Sequence, residues 1–162
     1  RAVVFPTIVD FRGPEGLRFV TTEGSPAWIA ALPAPWARAA DERALRIRYD
    51  EHHVVAMRVL EPQADWRGYS IVAVDITNPA DRELRLTFRV FDAAHDWSHS
   101  DRLNLPLVIP PQTRTTIRVS LAAVESAPQG RSMDLAQIAD VMLFGREAQP
   151  PAELYLSKIW LE

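Results

Sequence analysis

Apolar residues in this chain recur at every second position far more often than at every third or fourth, and proline or glycine falls between the alternating runs. An extended backbone sends successive side chains to opposite faces, so each run has one apolar face that only another layer can cover. Ala44-Leu45-Arg46-Ile47-Arg48-Tyr49 shows this most cleanly, with Leu45, Ile47 and Tyr49 on one face and Arg46 and Arg48 on the other. Further strands are expected at Val3 to Val9, Leu17 to Thr21, Val54 to Leu60, Tyr69 to Thr77, Leu84 to Phe91, Leu103 to Ile109, Thr113 to Leu121, Ile138 to Phe144 and Leu154 to Leu161. Gly13-Pro14-Glu15-Gly16, Glu61 to Asp65, Asn78-Pro79-Ala80-Asp81, Pro110-Pro111, Glu125 to Asp134 and Pro150-Pro151 separate them with turn chemistry. Helix is limited to a turn or two at Ala27 to Ala31, Trp36 to Arg43, Leu121 to Glu125 and Met133 to Ile138. The pattern predicts an all-β fold, a two-sheet antiparallel jelly-roll β-sandwich with few short helices, spanning residues 1–162 as one domain.

Short links suggest which strands pair. Asp50-Glu51-His52-His53 has the length of a hairpin loop joining Ala44 to Tyr49 with Val54 to Leu60. Tyr69 to Thr77 and Leu84 to Phe91 are expected to pair across the Asn78 turn, with Val72, Val74 and Ile76 on the side of Leu84, Leu86, Phe88 and Val90. Their other side would carry Asp75, Arg85, Thr87, Arg89 and Phe91, and Arg46, Arg48, Arg58 and Arg118 would join that wet face. The first and last strands are long and apolar, and are expected to lie together.

Composition removes several function classes. There is no cysteine, hence no disulfide framework, thiolate metal site or cysteine nucleophile. The formal charge is −3, with no basic run interleaved with aromatics, which argues against a nucleic-acid partner. No apolar run approaches the ~20 residues of a membrane helix, so this domain is not expected to insert into a membrane itself. The chain begins at Arg1 rather than Met, and is expected to be one domain of a longer protein. Seventeen of the eighteen basic residues are arginine, the exception being Lys158; arginine pairs two-pronged with carboxylates and stacks on flat surfaces.

A resemblance runs through the last hundred or so residues. Asp65-Trp66-Arg67-Gly68-Tyr69, Val74 to Pro79, Leu86 to Asp92, Asp101-Arg102-Leu103-Asn104, Met133-Asp134-Leu135 and Leu154 to Leu161 stand in an order that resembles the galactose-binding-like jelly rolls. In particular it is similar to the carbohydrate-binding-module-like domains beside agarases and other polysaccharide-degrading enzymes, and closest to the soluble C-terminal domain of bacterial VanZ-like membrane proteins. The resemblance implies a membrane-tethered module of the cell envelope or extracytoplasmic space, with a concave sheet face as ligand platform. Modules of this kind often carry an aspartate for structural calcium where Ser157 stands here. Without it no metal is expected, although Asp10 and Glu23 could still contribute oxygens.

The densest polar segment is Asp92 to Asn104, a loop following a strand, where binding residues tend to sit. Trp97 offers a flat apolar ring, and Asp92, His95, Asp101, Arg102 and Asn104 offer planar polar groups, the combination that sugar recognition uses. The same polar residues could instead tie the loop to backbone, with Trp97 covering the edge of the core. His95 and His99 are four apart, but Asp92, Trp97 and Ser98 disfavour helix and the glutamate of an H-E-x-x-H zinc site is missing. His52-His53 reads as a solvated tip. On the wet face Arg89 and Arg58 are the candidates for an anionic saccharide or envelope polymer, against ordinary pairing of Asp75 with Arg89. Trp28, Trp36, Trp66 and Trp160 read as structural, although Trp28 and Trp36 lie among prolines and could rim a site. No nucleophile motif or phosphate-cradling loop is present, and nothing fixes the separation that Asp92, Asp96 and Asp101 would need as a glycosidase pair. The expectation is a non-catalytic, cofactor-free module binding a saccharide or envelope polymer at Asp92 to Asn104 and the adjacent face. The alternative is a structural or protein-interaction domain with no small ligand.

Overall fold

The structure is a computed structural model that describes residues 6–23, 25–49, 56–145 and 152–162. Two antiparallel sheets form the domain. The six-stranded sheet runs β3 (Ala27–Ala31), β4 (Arg43–Tyr49), β11 (Ala152–Leu161), β6 (Ile71–Asn78) and β9 (Thr113–Ser120), with β1 (Thr7–Asp10) also on β11. The five-stranded sheet runs β2 (Val20–Thr21), β5 (Ala56–Val59), β10 (Ile138–Phe144), β7 (Leu84–Asp92) and β8 (Leu103–Ile109). Among the described residues the one α-helix is α1 (Leu121–Ser126), and no helix is long and apolar enough to cross a membrane.

Alternation sets which side chains meet between the sheets. Leu45, Ile47, Val72, Val74, Ile76, Leu154, Leu156 and Ile159 face inward from one sheet, and Met57, Val59, Leu86, Phe88, Val90, Val141 and Leu143 from the other. The first and last described strands do pair, with Val9 opposite Ile159.

The expected hairpins are not formed. β4 pairs with β3 and β11, whereas β5 pairs with β2 and β10; β6 pairs with β11 and β9, whereas β7 pairs with β10 and β8. Consecutive strands β4 and β5, and β6 and β7, thus lie in different sheets, and the described link 79–83 crosses between them. The gap between packed sheets is about 10 Å, which a few residues span as readily as a hairpin turn. The buried Asn78 shows how the crossing is held: its Nδ2 donates to the carbonyls of Arg82 (2.8 Å), Ile109 (3.1 Å) and Pro110 (3.1 Å), and its Oδ1 accepts the Ala80 N–H (3.0 Å). One amide thus ties the β6–β7 crossing to the β8–β9 crossing.

The wet-face expectation therefore divides. Arg46, Arg48, Asp75 and Arg118 belong to the six-stranded sheet, and Arg58, Arg85, Arg89 and Phe91 to the five-stranded one. Asp75 pairs with Arg114, and Arg89 with Asp140. Ala27 to Ala31 is a strand rather than a helical turn, its short apolar run completing the sheet beside β4. Leu17 to Phe19 lies in a 3₁₀ turn, Pro14–Phe19, so that only Val20 and Thr21 pair. Trp36 to Arg43 and Met133 to Ile138 hold turns, whereas the expected helix after β9 is present as α1. Val3 to Phe5, the Asp50 to His53 link with Val54 and Val55, and Pro150-Pro151 lie outside the described residues.

The two outer faces differ in cover. Residues 32–42 fold over the six-stranded sheet, where Leu32, Ala44 and Tyr155 bury one another with Trp36 and Ala37 against them. Arg114 pins this flap with five hydrogen bonds: two to Asp75, two to Glu42 and one to the Trp36 carbonyl. Arg46 fills the next position, 5.0 Å over Trp28 and ion-paired with Glu153.

Candidate binding face on the five-stranded sheet

On the other outer face, Arg58, Met142, Arg89 and Asn104 stand side by side across four strands, in register. β10 separates the two arginines, and both turn onto the carboxylate it supplies. Arg58 Nε lies 2.7 Å from Asp140 Oδ1, while Arg89 donates from Nε to Oδ2 (2.9 Å) and from NH2 to Oδ1 (3.2 Å). The Asp140 side chain is 0% exposed, whereas Arg58 is 36% and Arg89 17% exposed. A carboxylate so desolvated needs cationic partners, and β10 places it where two are available. Arg89 also lies over Phe91 (5.3 Å) and Phe144 (5.9 Å).

Phe91 links this row to the 92–104 loop. His95 stacks on its ring at 4.2 Å and Trp97 meets its edge at 5.6 Å. Trp97 is 74% exposed and has φ 71°, a left-handed conformation that is costly for a bulky residue, on the order of 1 kcal/mol or more. Asp96 holds it there: its Oδ1 accepts the Ser98 N–H (2.8 Å) and hydroxyl (2.6 Å). The loop thus carries an aromatic ring at its surface against both conformational and hydrophobic preference.

A half-buried ion cluster anchors the loop. Arg131 donates to Asp92 through both terminal nitrogens (2.7 and 2.8 Å) and to Asp101 through Nε (2.6 Å) and NH2 (3.0 Å). Asp92 also accepts the Asp134 N–H, and Asp101 the Asp96 N–H. The guanidinium holds both carboxyls below their usual range, burial opposing it, with those N–H groups adding to the effect. Groups that ionise more readily folded than unfolded stabilise fully above the ordinary aspartate range, about pH 4, and lose that contribution as pH falls through their folded values. Urea midpoints should therefore fall steeply below about pH 4 in the parent chain and less steeply in Arg131→Met. Equal slopes would contradict this.

The structure brings Trp97, Arg89, Arg58 and Asn104 to one face, whereas the His95 side chain is 2% exposed, stacked on Phe91 with its Nδ1 2.8 Å from the Asp101 carbonyl, and supports the loop from behind. Asn104 sits beside Arg89, its Oδ1 accepting from Arg102 Nε (2.8 Å) and its Nδ2 donating to the His99 carbonyl (2.8 Å). Asp92 and Asp101 are committed to Arg131. Phe91, Asp140, Met142 and Phe144 complete the face, and sequence reasoning did not name the last three. Asp140 left a signal, as the lone charge in Ile138-Ala139-Asp140-Val141-Met142-Leu143-Phe144.

Among the described residues His95, Asp96 and Asp101 form the one group close enough to share a cation, within 4.8 Å. The donor set fits poorly, because Asp101 is occupied by a guanidinium and Asp96 by Ser98. Asp10 is paired with Arg12 at 3.0 Å, and Ser157 lies at a register shift of β11 with its Oγ unpaired.

No protein-family sequence model matches the chain, and neither does the sequence of any curated protein. Solved structures do share the fold. An exo-β-agarase superposes with a TM-score of 0.74 at 13% identity over 96% of this chain, which spans only 24% of the agarase. A family 11 carbohydrate-binding module from Clostridium thermocellum, solved with a β-1,3-1,4-mixed-linked tetrasaccharide, superposes with a TM-score of 0.65 at 12% identity, covering 99% of this chain and 96% of the module. A family 30 module from the same organism gives 0.51 at 13% identity, covering 98% and 93%. The chain has the two-sheet jelly-roll sandwich fold of carbohydrate-binding modules.

Proposed function

We propose that this chain is a non-catalytic saccharide-binding module, a single domain carried by a longer protein, and that its binding face is the outer face of the five-stranded sheet. The observation that carries the reading is Trp97: a ring 74% exposed, held in a left-handed conformation against Phe91, which Arg89 overlies from the neighbouring row. A pyranose has an apolar face that stacks on such a ring, and hydroxyls that guanidinium and amide groups bind. Residues 32–42 cover part of the opposite outer face, over Leu32, Ala44 and Tyr155. The folds sharing this architecture include modules that are binding domains in their entirety, which supports a non-catalytic role. Carriage by a VanZ-like membrane protein at the cell envelope, with an envelope polymer as ligand, rests on the sequence resemblance.

Glycan-array binding by the parent chain, Trp97→Ala and Arg102→Ala tests this. Loss of a central aromatic contact should cost about 2 kcal/mol, roughly thirtyfold in affinity. Binding that is absent, or indifferent to both changes, would contradict the site, and turnover of any polysaccharide would contradict the non-catalytic role.

A further inference from the structure

From the Arg58–Asp140–Arg89 arrangement we infer that the saccharide carries an acidic group, a carboxylate or sulfate, and that this group docks on the two arginines while its ring stacks on Trp97. This rests on the saccharide-binding reading above and adds the chemical class of the ligand.

Two guanidiniums share one carboxylate, so the unit retains a positive charge after its internal pairing. Asp140 takes the Nε of Arg58, and the Nε and one terminal nitrogen of Arg89. Both terminal nitrogens of Arg58 and the second of Arg89 have no hydrogen-bond partner among the described residues. An arginine binding through one edge still offers its other N–H groups, and an oxyanion is the acceptor they bind most strongly. Asp140 is buried and fixed between β5 and β7, so the charge is held at the surface in a set position.

The surroundings favour a saccharide acid over a general polyanion. Trp97 and Arg89 both lie against the Phe91 ring, so stacking ring and cation share one stretch of the face that an oligosaccharide can follow. The whole chain is acidic, with net charge −3, so the positive charge is local rather than a property of the domain.

Calorimetry on the intact chain with four probes of equal length separates the possibilities: an oligogalacturonate, a sulfated carrageenan oligosaccharide, an agaro-oligosaccharide and a mixed-linkage β-glucan oligosaccharide. The acidic probes should bind about tenfold more tightly than the neutral ones, and salt should weaken them selectively. In Arg58→Gln, which leaves Arg89 to hold Asp140, the preference for acid should fall about tenfold, and Arg58→Lys should restore part of it. Comparing the two acidic probes tells carboxylate from sulfate. Thermal unfolding of each variant confirms that it folds. An acid preference unchanged in Arg58→Gln would overturn the docking of the acid on the two arginines. Neutral probes bound as tightly as acidic ones and lost in Trp97→Ala would overturn the acidic ligand and leave the binding face standing. Binding of none of the four would overturn both.

Discussion

Trp66→Ala should lower the unfolding free energy by about 3–5 kcal/mol, the range for emptying a buried tryptophan site. Trp66 is 0% exposed and closes one end of the sandwich. Its indole N–H donates to the Gln63 carbonyl (2.8 Å), and its backbone N–H to the Leu135 carbonyl (2.7 Å). The neighbouring Ile138 N–H donates to the Ala64 carbonyl at 2.8 Å, so the link before β6 and the turn before β10 are sewn together around the ring. Removing the indole leaves a cavity between these two segments. For a domain of this size each kcal/mol shifts the melting temperature by about 2–4 °C, which predicts a fall of roughly 6–20 °C. A loss below about 1 kcal/mol in urea unfolding would show that the end of the sandwich collapses onto the gap.

The Arg131→Met variant is expected to lose about 3 kcal/mol, because it strands Asp92, whose side chain is 0% exposed. Methionine keeps much of the stem volume, which separates loss of charge from loss of packing. Arg131 is itself 29% exposed, and water entering beside Asp92 places the cost toward the lower end of the range for broken buried pairs. Because Asp92 and Asp101 bound the loop, the variant should also free the 92–101 backbone. Faster amide exchange at Asp96 and Asp101, whose N–H groups bond within the loop, would report it. Unchanged exchange with unchanged stability would show that the backbone bonds of the loop suffice without the cluster.

The fold class was legible because alternation is a local property. Leu45, Ile47 and Tyr49 point inward whatever strand lies beside them, and the same holds for Val72, Val74 and Ile76. Strand pairing was not legible. A link such as 79–83 has the composition of a hairpin turn, and its course is decided by Asn78 reaching carbonyls at Ile109 and Pro110, some thirty residues away. Ala27 to Ala31 is too short an apolar run for its periodicity to tell strand from helical turn, and the neighbouring β4 decides it.

The same division holds for the candidate site. The Asp92 to Asn104 loop stood out by composition, and Trp97 and Asn104 lie on the side of the sheet that carries Arg89 and Arg58, while His95 is buried beneath the loop. That these belong together follows from β5, β10 and β7 lying side by side, which no spacing in the chain encodes. Arg131 was hidden for the same reason: its partners Asp92 and Asp101 are thirty or more residues away, and nothing around Arg131 marks it as paired with them.

The location of the binding face can be tested directly by titrating the ¹⁵N-labelled chain with an oligogalacturonate and following its amide and indole resonances. Shifts are expected at Trp97, Phe91, Arg89, Asn104, Met142 and Arg58, with Trp28, Arg46 and Tyr155 on the opposite outer face unmoved. Shifts centred on Trp28, Arg46 and Tyr155, or none at all, would contradict it.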